Sequence, residues 1–85
     1  MKTFSYVLTD PHGLHARPAG MLVKTVTPFV SKVTVTSPTG TADGRRLMAL
    51  MRLGAKQGIA LTFTLEGLDE EEAADTLLTF LRENL

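Results

Sequence analysis

The chain has 85 residues, enough for one small domain, so its core must be simple and its chemistry must lie near the surface. It has no cysteine, which excludes disulfide staples, thiolate nucleophiles and thiolate metal sites and fits a reducing compartment. Nine basic residues balance nine acidic ones, yet residues 1–56 hold eight bases against only Asp10 and Asp43, whereas residues 57–85 hold Arg82 against seven acids.

That segregation reads in two ways: solvated charges around one acidic helix, or a basic face that steers an acidic protein partner. The aromatics are one tyrosine and four phenylalanines, and none is expected in a loop of the basic half, so nucleic acid is not the expected ligand. The opening residues, Met1 to Tyr6, lack an apolar signal core. The longest apolar run, Leu47 to Met51, is far too short to span a bilayer. A soluble, cytoplasmic, monomeric protein with a single domain over residues 1–85 is expected.

In chain order, Thr3 to Thr9 reads as a strand with Phe4, Tyr6 and Leu8 on one side. Asp10-Pro11-His12-Gly13 is a turn. A helix follows from about Ala16 to Thr27. Pro18 is tolerated in its first turn, Pro28 marks its end, and Ala19, Leu22, Val23 and Val26 form its core stripe. Lys32 to Ser37 alternates as a strand, and Pro38-Thr39-Gly40 turns the chain into a short strand around Thr41-Ala42. A second helix is expected from Arg45 or Arg46 to Leu53, stopped by a left-handed Gly54. Residues 59–65 alternate strictly as a strand. Asp69, with Glu72 three residues on, forms a capping-box-like start for the last helix, whose apolar stripe is Ala73, Ala74, Leu77, Leu78 and Leu81. The order is β-α-β-β-α-β-α. Strands with one wet and one buried face favour an antiparallel sheet covered by helices on one side, an open-faced α/β (α+β) sandwich.

The segment Gly13-Leu14-His15-Ala16-Arg17-Pro18-Ala19 sets a histidine where a turn meets a helix. The first amides of a helix lack intrahelical partners and carry the positive end of its dipole, so they form an anion site. A phosphate on His15 would lie among them. Arg17 adds a guanidinium suited to phosphate oxygens, Gly13 allows close backbone approach, and Pro18 stiffens the first turn. Imidazole ordinarily titrates near neutral pH and is then a good nucleophile. His12 and His15 are too few for zinc, which takes three or four protein ligands, so no metal is expected. No nucleotide-binding loop or other cofactor motif is present, so no cofactor is expected and the protein is not a complete enzyme by itself. In the second helix Leu50 and Leu53 are the natural core pair, which leaves Leu47, Met48 and Met51 partly exposed. Rimmed by Arg46 and Arg52, they suit a transient protein interface or, alternatively, ordinary packing of a short helix.

Gly13 to Ala19 resembles the active-site motif of HPr, the histidine phosphocarrier of the sugar phosphotransferase system. The resemblance runs over the whole chain, through Thr34-Val35-Thr36-Ser37, Met48 to Gly54, Gln57-Gly58 and the acidic start of the last helix. It implies a four-stranded antiparallel sheet with three helices on one face. It implies that enzyme I, charged from phosphoenolpyruvate, phosphorylates Nδ1 of His15, and that the A component of a sugar permease accepts the group. It further implies that Arg17 assists the phosphate and that Ala16, Gly20, Met21, Lys24, Leu47, Met48 and Met51 form the shared partner surface.

Two departures from the family pattern stand out. His12 occupies a position that is commonly asparagine or serine, whose side chain helps cap the first helix. A second imidazole there should make transfer more sensitive to pH. Arg46 stands where many members carry a regulatory serine, so regulation by a serine kinase is not expected. A specialised nitrogen-related or dihydroxyacetone-kinase-linked carrier, and a non-catalytic regulatory binding module, are the alternatives.

Overall fold

The computed structural model describes residues 1–85, with seven elements whose boundaries follow the sequence pattern closely. They are β1 (Lys2–Val7), α1 (Ala16–Val26), β2 (Lys32–Ser37), β3 (Gly40–Asp43), α2 (Leu47–Arg52), β4 (Ala60–Glu66) and α3 (Glu70–Asn84). The sheet order is β1-β4-β2-β3 and every neighbouring pair is antiparallel. Because side chains alternate along a strand, Val33, Val35, Leu61, Phe63 and Leu65 all fall on one face and are buried. The other face is lined with hydroxyls, which pair with one another at Ser5–Thr62 (3.1 Å) and Thr36–Thr41 (3.4 Å). The three helices lie on the apolar face, so the fold is the expected open-faced sandwich.

The core forms where Leu22 and Val26 of α1, Leu50 of α2, and Leu77 and Leu81 of α3 meet that face. Each such side chain stabilises the fold by about 1.5–3 kcal/mol. Phe4 stacks on Phe63 with ring centroids 5.2 Å apart. Phe29 corrects one expectation: it lies in a loop, between α1 and β2, but its ring packs against the core rather than standing free.

Several local readings differ from the structure: β1 ends at Val7 and leaves Leu8 and Thr9 outside it, α1 ends at Val26 rather than Thr27, and Val23 is only partly buried. Helix α2 begins at Leu47, with Arg46 as its N-cap. Strand β4 runs one residue later than expected and leaves Ile59 outside it. In α3 the buried residues are Ala73, Leu77, Phe80 and Leu81, while Ala74 and Leu78 lie at the edge beside Phe4. The stripe continues by seven and eight residues from Ala73 and so takes in Phe80.

The Asp69–Glu72 capping box does not form, since the Asp69 side chain makes no cap bond. Continuing the Lys32↔Glu66 register brings Ser31 against Gly67. The Asp69 carboxylate there accepts from the amides of Val30 (2.9 Å) and Ser31 (3.0 Å) and from the Ser31 hydroxyl. Three donors outcompete the helix's own amide. The Ser31 hydroxyl, followed by the Val30 amide, holds this carboxyl below the usual carboxylate range. Glu70 instead reaches back to accept from the Gly67 amide at 3.1 Å.

Helices α1 and α3 pack antiparallel. Asp69, at the start of α3, holds the segment that leaves α1. At the other end the Leu85 carbonyl accepts from the amides of Thr9 (2.6 Å) and Asp10 (3.0 Å), in the segment that enters α1. No helix is long and apolar enough to cross a membrane.

Candidate functional site

The segment from Leu8 to His15 is fixed on two sides. Besides its bonds to Leu85, the Gly58 amide donates to the Leu8 carbonyl (2.8 Å), Gln57 Nε2 to the Thr9 carbonyl (3.0 Å) and the Leu14 amide to the Ala55 carbonyl (2.9 Å). Within it, the Gly13 amide donates to the Asp10 carbonyl (2.9 Å) and the His12 amide to Asp10 Oδ1 (2.8 Å). This is a turn reinforced by an aspartate side chain. Gly13 has φ +65°, and a Cβ there would stand 2.3 Å from the Ala55 carbonyl oxygen. Only glycine meets both conditions.

The turn delivers His15 as the N-cap of α1, in extended conformation and without a side-chain capping bond. The amides of Ala16 and Arg17 have no hydrogen-bond partner within the protein, and Pro18 has no N–H to offer. The His15 side chain is 42 % exposed, and its Nε2 stands 3.9 Å from Asp10 Oδ1. That separation is too long for a hydrogen bond, but it is an ion contact when the ring is protonated. The His12 ring meets it edge-on, with centroids 5.6 Å apart. Arg17 is exposed and forms no ion pair. A depression of about 230 Å³ is lined by Asp10, His15, Arg17, Pro18, Met21 and Asn84.

The expected residues therefore separate into two neighbouring groups. His12, Gly13, His15, Ala16, Arg17 and Pro18 gather at the entry to α1. Met21 lines the depression and continues onto a second group, because α1 and α2 pack against each other. Met48 is 62 % exposed, and Leu47, Met51 and Met21 are exposed as well. Lys24 lies in the open, and nothing within 4 Å would meet a Cβ at Gly20. His12 makes no side-chain cap to α1; its exposed ring contacts His15 instead. Asp10 and Asn84 were not singled out by sequence for this site. Asp10 carries a local signal in its turn motif, whereas Asn84 arrives only through the docking of the α3 terminus. No group of three or more His, Asp or Glu side chains is close enough to hold a metal ion.

An anion bonded to His15 would lie near the unpartnered amides of Ala16 and Arg17, with the Arg17 side chain and the Asp10 carboxylate lining the same depression. A family model described as the PTS HPr component phosphorylation site matches residues 2–83, and the chain belongs to the HPr family of phosphocarriers of the phosphotransferase system. The phosphocarrier protein HPr of Lysinibacillus sphaericus is 41 % identical over 83 residues, which is 98 % of this chain and 94 % of that protein. The multiphosphoryl transfer protein of Salmonella typhimurium is 49 % identical over 71 residues, 80 % of this chain but 19 % of that much longer protein. The crystal structure of HPr-C-His from Thermoanaerobacter tengcongensis superposes with a TM-score of 0.92 at 34 % identity, covering 98 % of this chain and 93 % of that one.

Proposed function

We propose that His15 is the phosphoryl acceptor of a general phosphotransferase-system carrier, charged by enzyme I and discharged to the A component of sugar permeases in the cytoplasm. The observation that carries this reading is an exposed imidazole standing beside the unpartnered amides of Ala16 and Arg17. The resemblance to HPr makes Nδ1 the attacking nitrogen, and it attacks through its unprotonated lone pair. Nδ1 attacks phosphorus, the N–P bond forms, and the bond from phosphorus to the donor breaks. Discharge reverses the roles. Arg17 and the two amides bear the phosphoryl charge between the two events, and Gly13 and Pro18 hold the turn that presents it. The acceptor and donor meet the same face, made by Ala16, Gly20, Met21 and Lys24 on α1 and Leu47, Met48 and Met51 on α2. Arg46 offers no hydroxyl to a serine kinase.

The test is incubation with phosphoenolpyruvate and enzyme I, followed by intact mass. The wild type should gain one phosphoryl group that is acid-labile and alkali-stable, and His15→Ala should gain none. A stoichiometric gain in His15→Ala, or full biological activity of that variant, would refute the reading.

A further inference from the structure

We infer that Arg45 is a positioning residue: it fastens the lead into α2 to the C-terminal end of α1, so that the two helices present one docking face. The inference rests on the docking face proposed above. Arg45 and Arg46 are neighbours in sequence, but only Arg46 is given to solvent. Arg45 is half-buried, and its guanidinium turns inward. Nη1 donates to the Ser31 carbonyl (2.9 Å), and Nη2 donates to the carbonyls of Val26 (3.1 Å) and Phe29. Val26 closes α1, and its carbonyl also accepts from the Phe29 amide (3.1 Å), while Phe29 and Ser31 lie in the segment after it; this end of the helix carries the negative end of its dipole. A planar, five-donor guanidinium suits converging carbonyls.

The backbone around Arg45 is equally constrained. Its amide donates to Asp43 Oδ1 (2.8 Å), the Arg46 amide to the Asp43 carbonyl (3.0 Å) and the Gly44 amide to the Val33 carbonyl (2.8 Å). A Cβ at Gly44 would stand 2.8 Å from Val33 Cγ1, so this stretch fits closely against β2. From this anchored stretch the chain enters α2, whose outward residues Leu47, Met48 and Met51 complement Met21 on α1.

The pair of helices is tied at both ends. Near His15, the Leu14 amide meets the Ala55 carbonyl. At the far end the polar tie is Arg45. Removing it frees one end of α2 relative to α1 and leaves the turn that presents His15 intact. Docking should then suffer while the chemistry does not.

The experiment compares Arg45→Ala and Arg45→Lys with wild type, well below each variant's melting temperature. It measures phosphoryl transfer from enzyme I to a permease A component, and amide hydrogen exchange. Arg45→Ala should raise the half-saturating carrier concentration about tenfold, as expected for losing hydrogen bonds from a charged donor, and leave the maximal rate within about twofold. Arg45→Lys should restore part of the loss. Exchange should quicken in the segment 27–31 and at the start of α2 but not at Leu14. An unchanged half-saturating concentration in Arg45→Ala, or exchange that quickens evenly through Leu14 and Val35, overturns the inference. If the wild type accepts no phosphoryl group, the functional reading fails by itself. Hydrogen exchange then decides the brace alone: quickening confined to 27–31 and α2 upholds it, and no change refutes it.

Discussion

At Gly13 the backbone turns with φ +65° while the Ala55 carbonyl occupies the space of a side chain. Gly13→Ala should therefore cost about 1–3 kcal/mol, the range for forcing a Cβ into such a conformation, measurable by urea unfolding. Because His15 lies two residues on, the variant should also slow phosphorylation by enzyme I even where it is folded. An alanine variant as stable as wild type would show that the turn relaxes freely. Much of the site is legible at this scale, since Gly13, His15, Arg17 and Pro18 are adjacent in the chain and local chemistry dictates their geometry. Asn84 is not legible, because it reaches the depression only when the end of α3 docks on Thr9 and Asp10. Arg45 is not legible either: next to Arg46 it has the same chemistry, and only the third dimension turns one inward.

Among the elements, the α3 start offers the sharpest test. Asp69 gathers three donors from the segment before β2, and its carboxyl is held below the usual carboxylate range. A group with a depressed folded pKa contributes stability above its unfolded pKa and loses that contribution as pH falls through the folded value. Asp69→Asn should thus be less stable than wild type at pH 7. The gap should narrow below about pH 4, the ordinary aspartate range, and close at lower pH. Melting temperatures from pH 7 to 2 measure this, and a gap independent of pH would refute the assignment. The same element shows where sequence reasoning falls short. Alternation revealed β2 and β4, and helical spacing revealed α1, because burial on one face leaves a periodic trace. Asp69 matched a local capping motif equally well, but a register shared by two distant strands offered its carboxylate better partners.

Across the whole molecule, the antiparallel packing of α1 and α3 sets His15 at one end and the acids Asp69 to Glu72 at the other. They are separated by roughly the 16 Å length of an eleven-residue helix. Arg17, Lys24 and Arg52 lie on the two helices of the proposed docking face, and Arg46 caps the second of them. Association with an acidic permease component should therefore slow as salt rises from about 0.05 to 0.5 M, where the Debye length shrinks from well above to below about 10 Å. Stopped-flow mixing measures it, and an association rate indifferent to salt would remove steering from the account. The chain's charges sum to zero, so a distant partner exerts almost no net pull on it. Its unevenly spread charges instead feel a torque: an approaching negative surface turns the basic helices α1 and α2 toward itself, and the acidic start of α3 away, before the two touch.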